Sequence, residues 1–224
     1  MKIDILTLFP DMFTPLNESI IGRAKTAGKV EINVYDIRDY TLDKHRKCDD
    51  YPFGGGAGMV MTPQPVASAI EAVDGEHKAR RIFMSPKGRT FNQGMINELL
   101  SYEHIVLLCG HYEGIDQRVL DLYIDDEISI GDYVLTGGEL PAMVITDSVC
   151  RYIDGVLSDG SLNQETFTDN LLEYSQYTRP QDFKGLKVPE VLVSGNHGEV
   201  DKWRKRESLN ITEKKRPDLI NKEK

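Results

Sequence analysis

H-I-V-L-L-C-G, His104–Gly110, is the most strand-like run in the chain. Ile105 to Cys109 are apolar without a break, so a strand made from them buries both faces. That is the pattern of a central strand in a parallel sheet. On its N-terminal side, Arg81–Ser85 reads as a strand running into the turn Pro86-Lys87-Gly88-Arg89, and Asn92–Leu100 as a helix. On its C-terminal side, H-Y-E-G-I-D-Q-R leads into a helix through Leu122, and Glu127–Ile130 forms a further short strand. Farther out, Ile3–Phe9 is a short apolar run ended by Pro10, a buried first strand. From Asp11 to Ala27 the apolar residues recur at spacings of three and four, which predicts a helix closed at Gly28. Val30–Ile37 alternates as a strand does, and Pro63–Val73 has a helical pattern. Strands that alternate with helices and end in Gly-bearing loops argue for an α/β fold with a parallel sheet. Ligands of such sheets sit beyond the carboxyl ends of the strands. The loops beginning at Met84, Cys109 and Ser129 are therefore expected to converge on one pocket.

The last of those loops is S-I-G-D-Y-V-L-T-G-G-E-L-P, Ser129–Pro141, with a helix-like run from Ala142 to Ile153 after it. Its three glycines let the backbone approach a ligand with no Cβ in the way, and Pro141 suits the first turn of a helix. A tight turn that merely caps the helix is the plainer alternative. Phe53–Met61, F-G-G-G-A-G-M-V-M, is also glycine-rich. It fails the Gly-x-Gly-x-x-Gly fingerprint because Met59 stands at the third glycine, and it lacks the Gly-Lys-Ser/Thr of a phosphate-binding P-loop.

The 224 residues allow one domain or two modest ones with a real core. Net charge is −9, which argues against a uniformly basic nucleic-acid coat but leaves room for a local basic patch. Cys48, Cys109 and Cys150 are widely spread and form no Cys/His cluster, so neither zinc nor a disulfide framework is indicated. Free thiols fit a reducing cytoplasm. The first residues are too charged for a signal peptide, and no apolar run approaches the roughly 20 residues of a membrane span. The charge is segregated. Glu113–Asp132 is acidic, whereas Lys202, Arg204, Lys205, Arg206, Lys214, Lys215 and Arg216 stand against Glu207 and Glu213 in a basic tail that also carries Trp203. Such a run is usually a solvated helix face; phosphate contact is the functional alternative.

L-F-P-D-M-F, F-G-G-G-A-G-M, S-P-K-G-R, C-G-H-Y-E-G-I-D-Q-R, S-I-G-D-Y-V-L-T-G-G-E-L-P-A-M and Y-T-R-P before V-L-V-S-G-N-H resemble, in this order, the bacterial tRNA (guanine-N1-)-methyltransferase family. That family is TrmD-type, of the SPOUT superfamily. The resemblance implies an α/β fold with a trefoil knot in the later half of its sheet domain, where pattern alone gives an unknotted doubly wound sheet. Knots are among the rarest topologies. It implies a donor-binding catalytic domain over residues 1–154, a linker over 155–172 that closes when RNA binds, and a small, mostly helical tRNA-binding domain over 173–224. It further implies a cytoplasmic homodimer using S-adenosylmethionine, acting on tRNA at the guanosine just 3′ of the anticodon, with a requirement for Mg²⁺. By motif, the donor would be bound by Ser85 and Pro86, by Gly110, Tyr112, Glu113 and Gly114, and by Ile130, Gly131, Asp132, Tyr133, Val134, Leu135, Gly137 and Gly138. The basic residues of the tail would hold RNA phosphates. No carboxylate cluster at ligand spacing specifies a metal site, so none is assigned.

Methylating guanine at N1 requires a group that accepts the N1 proton and one that stabilises charge developing on O6. A carboxylate and an arginine meet these needs. The resemblance assigns the base to an Asp before a Ser-Phe pair. Here the matching segment is Glu165-Thr166-Phe167, and Asp169 is a rival. Arg151 matches the family's arginine, although Asp147 and Asp154 lie at i−4 and i+3 and make an intrahelical ion pair the plain reading. His111 and His197 are single and are expected to be structural or RNA-contacting. Two other classes stay open at this point: a nucleotide-using α/β enzyme, and a non-catalytic RNA-binding protein of the same fold, which the Glu at position 165 favours.

Overall fold

The structure, a computed structural model, describes residues 1–158, 165–167 and 170–220. The chain divides into two compact units, Met1–Leu157 and Ser158–Lys224.

The first unit begins with β1 (Lys2–Thr7), α1 (Ser19–Thr26) and β2 (Glu31–Asp36), followed by the short strands β3 (Asp49–Asp50) and β4 (Val60–Met61). Then come α2 (Pro63–Asp74), β5 (Arg80–Thr90), α3 (Met95–Leu100) and β6 (His104–Cys109). It closes with α4 (Gln117–Tyr123), β7 (Asp126–Ser129) and α5 (Glu139–Cys150). Five strands form one parallel sheet in the order β2-β1-β6-β5-β7. The expected parallel α/β architecture is therefore present, with β6 at its centre.

Period-two alternation explains why β6 is apolar from Ile105 to Cys109. Ile105, Leu107 and Cys109 point into one core with Ile3, Ile5, Ile82 and Met84, beneath α1, α3 and α5. Val106 and Leu108 point into the other with Leu6, Phe83, Val66, Ile70 and Val119, beneath α2 and α4. Both faces are covered, so neither tolerates a polar side chain. Asp4 of β1 is the exception that proves satisfied: fully buried, it meets Asn33 Nδ2 at 3.0 Å, His104 Nε2 at 2.9 Å and Lys2 Nζ at 2.8 Å. Arg81 of β5 and Asp74 of α2 form a second buried pair, Nε to Oδ2 2.7 Å.

Two elements differ from the sequence expectation. The helix expected over Asp11–Ala27 is broken. Pro10–Asn17 is a 3₁₀ helix, Glu18 is extended, and α1 starts at Ser19. Pro15 lacks an N–H and disfavours α geometry in the residue before it, so a continuous α-helix cannot form there. The absent side chain of Gly22 then lets α1 close on the 3₁₀ turn: a Cβ there would lie 2.1 Å from the Asn17 carbonyl oxygen. The strand expected to end at Ser85 instead resumes after a bulge. Met84 and Arg89 both pair with Ile128, so Ser85–Gly88 is pushed out of the ladder. Gly88 makes this possible, because a Cβ would sit 2.3 Å from the Glu127 backbone.

The second unit contains a two-stranded antiparallel ribbon of β8 (Asp182–Phe183) and β9 (Leu186–Lys187), then α6 (Glu190–Val193) and α7 (His197–Lys215). Asn196 caps α7 by accepting from the Glu199 N–H at 3.3 Å. Inside this unit, Trp203 of α7 lies edge-on to Tyr174 and Tyr177, with ring centroids 6.5 and 6.3 Å apart. The buried Thr212 hydroxyl accepts from the Leu172 N–H at 2.9 Å. Among the described residues, no helix is long and apolar enough to cross a membrane.

Candidate functional site

Beyond the carboxyl ends of β5, β6 and β7 lies a cavity of about 230 Å³. Three loops make its wall. The bulge after Met84 supplies Ser85 and Pro86; the loop after Cys109 supplies Gly110 to Gly114; the loop after Ile128 supplies Ser129 to Gly131 and Tyr133 to Gly138. Of the expected donor-binding residues, Ser85, Pro86, Gly110, Tyr112, Glu113, Gly114, Ile130, Gly131, Tyr133, Val134, Leu135, Gly137 and Gly138 line this one space. Asp132 is not in the wall. Phe83, Met84, His111, Thr136 and Pro141 are wall residues that the motif reading left out. Their place just before the Pro86-Lys87-Gly88-Arg89 turn could have flagged Phe83 and Met84, since the residues where a paired run stops border the crevice. Thr136 lies inside the Ser129–Pro141 loop, between Leu135 and Gly137, which the motif did name.

Backbone contacts hold the loops together. The Gly138 N–H donates to the Gly110 carbonyl at 2.9 Å, and His111 bridges Gly137 in antiparallel fashion. The 130–138 loop thus crosses the end of β6 and comes down beside it. Missing side chains are what allow this. A Cβ on Gly138 would lie 2.8 Å from Cys109 Cα, and one on Gly110 would lie 2.8 Å from the Phe83 ring. The Ser129 hydroxyl donates to the Gly131 carbonyl at 3.0 Å and accepts its N–H at 3.2 Å, closing the first turn of the loop. Tyr112 holds a positive φ of 58°, a costly conformation for a residue with a side chain, at the mouth of the cavity.

The hairpin β3–β4 is stapled to the same mouth. The Glu113 N–H donates to the Met59 carbonyl at 3.0 Å, and the Met61 N–H to the Gly114 carbonyl at 2.9 Å. Gly54, Gly55, Gly56 and Gly58 all have positive φ, which only glycine adopts freely. Their loop is the hairpin tip, where Phe53 is 99% exposed. The Phe53–Met61 glycines therefore shape a rim of the cavity mouth.

The cavity suits an adenosine-bearing ligand. Its walls carry apolar side chains from Phe83, Met84, Pro86, Ile128 and Leu135, and its floor is glycine backbone that a Cβ would fill. Burial first, and the Glu139 carboxylate second, push the Cys109 thiol at its base well above the usual range, so Cys109 is no nucleophile.

The remaining expected residues lie elsewhere. Arg151 is the residue at the C-terminal end of α5, half-buried, its N–H donating to the Asp147 carbonyl at 3.2 Å. At ~1.5 Å of rise per residue it stands roughly 20 Å from Gly138, so this chain does not bring it to the cavity. Glu165 belongs to the second unit, and Asp169 lies outside the described residues. Lys202, Arg204 and Arg216 have acids beside them: Glu199 at 2.8 Å, Asp201 at 3.5 Å and Asp218 at 2.7 Å. Arg204 also lies over the Tyr174 ring, 4.9 Å from its centre. Lys205, Arg206, Lys214 and Lys215 are exposed and make no ion pair among the described residues. The basic tail is therefore less positive than its core suggests, because its flanking acids fold back onto it. Among the described residues, no group of three His, Cys, Asp or Glu side chains could hold a metal ion, and no residue is assigned to Mg²⁺.

A family model described as tRNA (Guanine-1)-methyltransferase TrmD matches residues 1–222. The chain belongs to this family. Among curated relatives, a tRNA (guanine-N(1)-)-methyltransferase of Ruminiclostridium cellulolyticum is 59% identical over 99% of this chain and 97% of its own length. Proteins of the same name from Clostridium acetobutylicum and Clostridioides difficile are 56% and 54% identical, covering 92% and 98% of their lengths.

Proposed function

We propose that the protein transfers a methyl group from S-adenosylmethionine to N1 of the guanosine 3′-adjacent to the anticodon in tRNA. The observation that carries this reading is the convergence of the loops after Met84, Cys109 and Ile128 on one glycine-floored cavity in a chain of this family. When bound there, the donor supplies an electrophilic methyl. The chain's own residues do the rest. The glycine floor admits the adenosine and sulfonium portion closely, while Phe83, Met84, Ile128 and Leu135 exclude water from the adenine. The passage of the 130–138 loop across the end of β6 supports the trefoil knot that the family resemblance implies.

A carboxylate, Glu165 or Asp169, accepts the proton released from guanine N1, and Arg151 stabilises the charge that grows on O6. Arg151 sits roughly 20 Å from the cavity floor of its own chain, estimated from helix rise. A homodimer removes that difficulty, because Arg151 of a second copy can face the cavity. An exposed apolar strip favours such an assembly: Leu140 and Val144 lie one turn apart on α5, 48% and 43% exposed, and α5 packs beside the 3₁₀ turn that carries the equally exposed Met12. The exposed Lys205, Arg206, Lys214 and Lys215 hold RNA phosphates, and the second unit serves as the tRNA-binding domain. Both steps belong in the cytoplasm, where the substrate is made.

The test is methyl transfer to two tRNA transcripts that differ only in guanosine or adenosine after the anticodon. Transfer to the guanosine transcript alone is expected. Glu165→Gln or Asp169→Asn should abolish it, whichever acid is the base, with donor binding unchanged. Full activity in both variants would remove the carboxylate base from the reading.

A further inference from the structure

Glu139 is 2% exposed, yet among the described residues its carboxylate has one hydrogen bond, from the Thr7 hydroxyl to Oε1 at 2.8 Å. Among the described residues, no Lys, Arg or His nitrogen lies within ion-pair distance of it. A buried carboxylate without a cation is costly and calls for an explanation. Its position supplies one. The other oxygen, Oε2, lies directly behind the cavity floor: a Cβ on Gly137 would meet it at 2.3 Å. Gly137 has no side chain to separate the carboxylate from the cavity, and the neighbouring Cys109 thiol feels its charge. Glu139 also opens α5, where the positive end of the helix dipole attracts an anion. The Thr7 hydroxyl accepts from the Phe9 N–H at 2.9 Å, which aims its proton at Glu139 and fixes the carboxylate beneath the floor.

We propose that Glu139 is the counter-charge to the sulfonium of the methyl donor, and that it makes the cavity prefer the charged donor over its neutral thioether product. The inference rests on the reading of the cavity as a donor site. Donor and product share adenosine, ribose, ammonium and carboxylate. They differ in one methyl and one positive charge, so apolar walls alone discriminate weakly between them. A fixed anion behind a bare glycine acts on the charge alone. It draws the donor in and releases the product once the methyl has left and sulfur is neutral. Opposite charges at this depth attract far more strongly than in water.

The test is calorimetric titration of the full chain and of Glu139→Gln with S-adenosylmethionine and with S-adenosylhomocysteine. Gln keeps the acceptor for Thr7 and removes only the charge. Affinity for the donor is expected to fall roughly tenfold or more, from the size of a charge pair in a partly buried site, while product affinity stays within about twofold. Equal loss for both compounds, or no loss for either, would overturn the proposal. A second measurement needs no variant: the wild-type chain should bind the dimethylsulfonium analogue of 5′-methylthioadenosine more tightly than 5′-methylthioadenosine itself. Equal binding there also overturns it. If the wild-type chain binds neither S-adenosylmethionine nor its product, the cavity reading itself fails, and this proposal with it.

Discussion

At Gly138 the fold leaves no room for a methyl group, since a Cβ would lie 2.8 Å from Cys109 Cα and 3.0 Å from Met84 Cβ. Neither neighbour can swing away, because one is backbone and the other sits at a strand end. Gly138→Ala should therefore lower stability by about 1–3 kcal/mol, the usual range for overpacking, measured by urea denaturation. The same substitution lifts the cavity floor, so donor affinity should fall alongside. Gly28, by contrast, has a positive φ but nothing within 4 Å of its Cβ position. The two glycines look alike in sequence. The difference between an obstructed and an open glycine is a matter of what packs against it, and that is not written next to it in the chain.

Between elements, the buried Asp74–Arg81 pair ties α2 to β5. The Asp74 carboxylate also accepts the Lys78 N–H at 2.8 Å and the Ala79 N–H at 3.2 Å. Burial works to raise its pKa. The Lys78 N–H, the Arg81 guanidinium and the Ala79 N–H outweigh burial and hold it below the ordinary carboxylate value. A depressed pKa in the folded state gives stability that is present above the unfolded value, near ~3.9, and lost as pH falls through the folded one. Asp74→Asn should thus unfold with a weaker dependence on pH below about 4 than the wild type, followed by circular dichroism in acid titration. Asp74→Ala leaves the guanidinium of Arg81 buried and unpaired, and should cost about 3–5 kcal/mol. Sequence pattern located both elements but not this link. Asp74 reads as a polar residue at a helix end, and only the folding of the 75–79 turn between α2 and β5 makes it a buried partner of Arg81.

For the whole molecule, the reading turns on assembly and on RNA contact. If α5 forms a homodimer face, Val144→Lys should yield a monomer by light scattering. It should lose methyl transfer by at least an order of magnitude, while donor binding persists because the cavity walls come from one chain. Phosphate contact has its own signature. Lys214→Ala with Lys215→Ala should weaken tRNA binding and flatten its salt dependence by about 0.7–0.9 in log–log slope per lost contact. Substituting Lys202, which Glu199 already holds at 2.8 Å, should change that slope less.

Local pattern was enough to determine the parallel α/β class, because a strand buried on both faces must be apolar at every buried position, as Ile105–Cys109 is. The glycine motifs were likewise enough to single out the residues around the cavity. The break at Pro15 was legible too, because its missing N–H outweighs the apolar period around it. Tertiary structure alone decided two things. The length of α5 set Arg151 roughly 20 Å from the floor by helix rise, a separation that motif order does not carry. And the fold put Glu139 behind Gly137, hydrogen-bonded to Thr7, 132 residues away. Hydrophobic periodicity is a property of neighbours in the chain. The surroundings of a buried charge depend on which distant segments the sheet brings together.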